Sequence, residues 1–165
     1  MSDTTGGQPA QDPGAVAQPQ LAIAAQYVKD LSFENPGAPQ TLLPSTQAPQ
    51  IEVGVDVQAR QLAEDRFEVD LKINANAKRG DQTLFLVELH YAGLFQLKNI
   101  PRDSLQAVCL IECPRILFPF ARRVVADATR DGGFPPLMLD PIDFVELYRR
   151  QAQAAAQAQG GPLQA

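Results

Sequence analysis

The sequence predicts an α+β fold: a four-stranded antiparallel sheet with two helices packed on one face and a long Pro-rich crossover between strands 1 and 2. Three observations predict it. Four segments between residues 21 and 91 alternate apolar and polar residues with period two, so each strand has one apolar face. The polar positions of those segments are mostly acidic, and a sheet with one wet face is normally antiparallel. Beyond residue 102 the apolar residues change to helical spacing.

Residues 1–20 hold Gly, Pro, Gln and Ala without large side chains to bury, and read as a disordered tail. The folded domain is expected over 21–152, with 153–165 as a flexible C-terminal tail. The first strand covers 21–34. Leu21, Ile23, Ala25, Tyr27, Leu31 and Phe33 fall on its odd side, with Lys29 as an exception. NPGAPQTLLPSTQAPQ follows, with prolines at 36, 39, 44 and 49, and reads as an extended crossover. Strands then centre on Ile51–Val57, Phe67–Ile73 and Phe85–Tyr91. The short links between them suit hairpins, and Arg79-Gly80-Asp81 carries turn chemistry. Even positions include Asp30, Glu34, Glu52, Asp56, Glu68, Asp70 and Glu88, so one sheet face is acidic.

A helix is expected from a cap at Asp103 or Ser104, through Leu105, Val108, Cys109 and Ile111. Pro114 and Pro119 should interrupt or restart it before Gly132-Gly133 ends it. A last helix is expected to be capped by Asp140 with Pro141 at its first position, running through IDFVELYRRQAQAAA.

The net charge of −5 works against phosphate, so no nucleic acid is expected, and it suits a basic peptide or protein patch. No apolar run approaches the roughly 18 residues of a membrane helix, and the N-terminus lacks the pattern of a signal peptide. A cytoplasmic protein without membrane insertion is therefore expected, with Cys109 and Cys113 as reduced, buried thiols. The single histidine, His90, falls on the even face of strand four. There is no phosphate loop, nucleophile elbow or full zinc ligand set, so no catalytic residue, metal or cofactor is expected, and an enzyme is disfavoured.

YVKDLSFENPGAP at 27–39, TLFLVELHYAGLF at 83–95, CPRILFPFAR at 113–122 and GGFPPLMLDPIDF at 132–144 occur in this order. Together they resemble the SecB family of bacterial protein-export chaperones, from about Gln26 to Tyr148. The resemblance implies an ATP-independent holdase that keeps unfolded precursors competent for translocation. It also implies a homotetramer, built as a dimer of dimers, and delivery of clients to the SecA ATPase. Positions matching the SecA contact are Asp30, Glu34, Leu86 and Glu88, which would meet a basic, zinc-binding C-terminal tail. All four are even-numbered, and Leu86 is an apolar residue on an otherwise polar face. The plain alternative is that these carboxylates only keep the sheet soluble.

Positions matching the client groove are Leu42 and Leu43 on the crossover, Phe85, Val87, Leu89 and Tyr91 on strand four, and Pro114, Phe118 and Phe120 on the helix. For these the alternative is sheet–helix core. Val124, Val125 and Ala128 are expected at the subunit interface. Other members carry a tryptophan on the crossover and a tyrosine where Phe120 stands; this chain has no tryptophan. Two rival readings are a small-molecule carrier or enzyme with a cavity between sheet and helices, and a scaffold whose apolar strip is only an oligomer interface.

Overall fold

The computed structural model of the chain describes Gly14 and residues 16–160. Most of the expected N-terminal tail, and the last five residues of the expected C-terminal one, lie outside the described residues. Four strands form one sheet: β1 (Gln20–Glu34), β2 (Gln50–Ala63), β3 (Arg66–Arg79) and β4 (Gln82–Lys98). All neighbours are antiparallel and the order is β1-β4-β3-β2. Glu64-Asp65 and Gly80-Asp81 turn the two hairpins. β1 and β2 are opposite edges, so residues 35–49 must traverse the sheet, a width of about 14 Å at ordinary strand spacing. One short 3₁₀ turn, Gln40–Leu42, interrupts that crossover.

The predicted alternation holds in β2, β3 and β4. Val69, Leu71, Ile73, Val87, Leu89 and Phe95 point to one side and enter a single core with Cys109, Cys113, Leu117, Ala121 and Val125 of the helix. Burying each of the Val, Leu, Ile and Phe side chains contributes about 1.5–3 kcal/mol, so this face dominates the stability. Gly93 lets the helix settle onto β4: a Cβ there would stand 2.6 Å from the Phe95 ring and 2.9 Å from Leu117.

β1 departs from simple alternation. Gln20–Ile23 pair with Lys98–Phe95, Ala25–Val28 with Leu94–Tyr91, and Asp30–Glu34 with His90–Leu86. Bulges at Ala24 and Lys29 separate the three stretches. Each bulge adds a residue and reverses the faces. Tyr27 and Ala25 therefore lie opposite Ala92 and Leu94 on the outer face, not on the apolar face expected for them. The second reversal restores the expected parity, so Leu31 and Phe33 face inward while Asp30 and Glu34 face outward.

The first helix also corrects expectation. It runs without a break from Arg102 to Asp131, as α1 (Arg102–Ala107), a π-helical turn (Val108–Glu112) and α2 (Cys113–Asp131). Neither Asp103 nor Ser104 caps it; Pro101 holds the cap position. The π turn lets the Cys113 amide donate to the Val108 carbonyl, widening the helix just before Pro114. Pro114 would otherwise press on the carbonyl four residues earlier. Pro119 lies inside α2 without ending it.

By length and composition this helix is apolar enough to reach across a bilayer, contrary to expectation; one stripe of it packs on the sheet. The last helix, α3 (Phe144–Gln159), begins after the expected Asp140–Pro141 start. Asp143 is its cap, accepting from the Glu146 amide, because residues 137–143 stay extended. α3 ends at Gln159, with Gly160 as its C-terminal cap.

Candidate docking face and client cleft

The outer face of the sheet assembles from cross-strand pairs. Glu34 sits directly opposite Leu86, Ser32 opposite Glu88, and Asp30 opposite His90. Leu86, Glu88 and His90 alternate along β4, so the four residues expected to contact SecA form one contiguous patch. Asp30, Glu34 and Glu88 are exposed, and Leu86 is half-buried among them. Across β4, on β3, Asn76 and Asn74 flank Leu86 and Glu88. The patch therefore presents carboxylates around one apolar side chain, a surface suited to a basic partner with an apolar contact.

Further along the same face lies a buried polar network that the sequence did not signal. Glu68 on β3 is 9% exposed and accepts from Tyr27 Oη at 2.5 Å and Lys29 Nζ at 2.8 Å. The Arg60 guanidinium adds a contact at 3.3 Å. The bond from Lys29, then that from Tyr27, holds the Glu68 carboxyl below its usual range. Desolvation, reinforced by the bond to Glu68, pushes the Tyr27 phenol up to about 12. His90 lies on this face as expected, with Nδ1 3.2 Å from Asp70 Oδ2.

On the helix side the residues expected in a client groove separate into two groups. Phe85, Val87, Leu89, Tyr91 and Pro114 are buried in the core. That corrects their expected place on an open groove, because α2 lies directly over β4. Phe118 is half-buried, packed edge-on against Phe144 with ring centroids 6.1 Å apart. Phe120, Leu42 and Leu43 are exposed, Leu43 by 62%. Leu42 packs against Gly133, beside a cluster of Phe33, Phe85 and Phe134 rings with centroids 5.0–6.4 Å apart. Gly132 is required there, since a Cβ would run into the Phe33 ring. Of the residues expected at a subunit interface, Val125 is fully buried within the chain, a correction, while Val124 and Ala128 are half-buried.

A cleft of about 650 Å³ was not anticipated. Its walls are Ile51 and Val53 of edge strand β2 and, opposite, Met138 and Ile142 of the extended connector with Leu147 of α3. Ile51, Val53 and Met138 are all more than 40% exposed. Part of the signal was present: β2 alternates apolar and polar residues from Ile51 to Val57.

Nucleophilic chemistry is not prepared here. Burial pushes the Cys109 thiol up to about 11 and raises Cys113 further, so neither is a ready thiolate. Among the described residues, no three of His, Cys, Asp or Glu are placed to hold a metal ion.

The family model for SecB, described as preprotein translocase subunit SecB, matches residues 14–155. The chain belongs to the SecB family. It is 61% identical over 150 residues to the protein-export protein SecB of Maricaulis maris, covering 90% of this chain and 87% of that one. It is 55% identical over 152 residues to SecB of a Bradyrhizobium strain, covering 92% and 94%. Among solved structures, a Mycobacterium tuberculosis SecB-like chaperone in complex with a ChAD peptide from an antitoxin superposes with a TM-score of 0.62. That match covers 74% of this chain and 90% of the other at 17% identity, so it speaks for a common fold. SecB proteins are a chaperone family rather than an enzyme family.

Proposed function

We propose that this member of the SecB family works as an ATP-independent holdase that binds non-native secretory precursors and passes them to the SecA ATPase. The observation that carries the reading is the exposed apolar cleft between β2 and the 137–143 connector. It is open along an edge strand, whose unpaired backbone groups suit an extended client segment. Leu42, Leu43 and Phe120 are further exposed apolar side chains that could take client segments. Such surfaces recognise apolarity rather than a defined sequence. Weak binding at several equivalent clefts of a homotetramer would multiply into useful affinity. Val124 and Ala128, half-buried on α2 beside the core, are candidates for the contact between subunits.

Release is assigned to the opposite side of the sheet. Asp30, Glu34, Leu86 and Glu88 form a docking site for SecA's basic, zinc-binding C-terminal tail, and this interaction takes place in the cytoplasm. A cavity for a small molecule between sheet and helix is not favoured, since that interior is filled by Leu71, Leu89, Leu117 and Val125, each 0% exposed. The test is refolding of a slow-folding precursor without ATP. An equimolar tetramer should delay refolding; unchanged refolding would sink the holdase reading.

A further inference from the structure

We infer that Glu68 is a positioning residue that sets the register of edge strand β1 and thereby assembles the docking patch; the inference rests on the docking reading above. Between Ile23 and Asp30 the two bulges advance β1 by two residues relative to β4. Without that advance, the pairing of Gln20 with Lys98 would extend in step. Asp30 would then face Glu88 instead of His90, and Glu34 would face Leu84 instead of Leu86. Like charges directly opposite are unfavourable, and the apolar side chain would lose its carboxylate neighbour.

An edge strand with neighbours on one side only is the element most prone to such slippage. The pin lies in the reversed stretch between and at the bulges. Tyr27 and Lys29, turned outward there, both reach across β4 to the same carboxylate on β3. On β4 they cross beside Ala92, which is small and buried, and Leu94, which pairs with Glu68. Arg60 holds Glu68 from the β2 side. In the unbulged register Lys29 would face the helix side, where its ammonium would lose this partner.

The experiment uses the full chain, a synthetic Lys/Arg-rich peptide as the docking probe, and cross-strand backbone NOEs between Asp30 and His90. Glu68→Gln keeps the shape and removes the charge that binds Lys29. It is expected to weaken peptide binding about tenfold and to diminish the Asp30–His90 NOEs. Glu64→Gln, an equal charge change at the β2–β3 turn, should cost less than twofold and leave the NOEs intact. Lys29→Met should reproduce the Glu68→Gln loss of NOEs, which guards against a defect peculiar to residue 68. Intact NOEs in both Glu68→Gln and Lys29→Met, or equal binding losses for Glu68→Gln and Glu64→Gln, would overturn the inference. Glu88→Lys separates the two questions. If it leaves peptide binding unchanged, the docking reading fails, and the NOEs still judge the role of Glu68 in register.

Discussion

On the helix side of the sheet, Leu71, Ile73, Val87 and Leu89 are at most 2% exposed and belong to one continuous core. On the other side their neighbours Asn74, Glu88 and His90 stay in contact with water, and the face is ordered by hydrogen bonds and cross-strand pairing. The inner face is held by many redundant apolar contacts, so no single pairing decides it. The outer face depends on which residue of β1 stands opposite which residue of β4, and that is settled by two bulges and one buried carboxylate. Damage to the first should show as lost stability, and damage to the second as lost recognition in a folded protein.

The largest effect tests the inner face. Leu89→Ala should destabilise the chain by about 2–5 kcal/mol in denaturant unfolding. A loss under about 1 kcal/mol would mean that the sheet–helix interior is not closely packed there. Next is the pH dependence of the outer network. Because the carboxyl of Glu68 is held below its usual range, its contribution is fully present above the ordinary carboxylate pKa of the unfolded chain. It is lost as the pH falls through the lower folded value. Tyr27 runs the other way: its contribution is complete below pH 10 and disappears as the pH rises through about 12. Glu68→Gln should therefore flatten the acid limb of the stability profile, and Tyr27 should form its phenolate late in an alkaline absorbance titration read against Tyr27→Phe. A Tyr27 phenolate that forms at the ordinary pH near 10 would contradict the network.

A smaller effect separates recognition from folding. Glu88→Lys should reduce binding of a basic peptide by on the order of tenfold, or about 1.4 kcal/mol, with unfolding changed by less than about 0.5 kcal/mol. The smallest stability change belongs to Phe120→Ser, since that ring is 48% exposed. Unfolding should shift by no more than about 0.5 kcal/mol, while the delay of client refolding shortens measurably. If both Phe120→Ser and Glu88→Lys unfolded the chain as Leu89→Ala does, the contrast between the two faces would collapse.

Much of this was legible along the chain. In β3 the pattern is unambiguous: Val69, Leu71 and Ile73 alternate with Asp70 and Lys72, and the structure keeps that parity. Asp30 and Glu34 were placed on the correct face, although the path between Ile23 and Asp30 contains two reversals that cancel. Lys29, which broke the alternation, was the visible trace of the second bulge. The groove was less legible. Phe85, Val87 and Leu89 have the same local pattern whether a helix covers them or a client does, and only the helix packed against β4 distinguishes the two. The β2 cleft has no single local signature, because its walls, Val53 and Met138, are far apart in sequence.

By itself the sequence determined the antiparallel sheet, the helical half, the acidic outer face and the family, since alternation, turn chemistry and long motifs are local properties of the chain. The tertiary structure alone decided the bulged register of β1, the continuous path of the helix past Pro114, and which apolar residues are core and which are cleft. Those outcomes depend on what each residue meets across the sheet or beneath the helix: Lys29 on Glu68, Pro114 against a widened turn, Leu89 under α2. No local pattern encodes the partner that arrives from elsewhere in the chain.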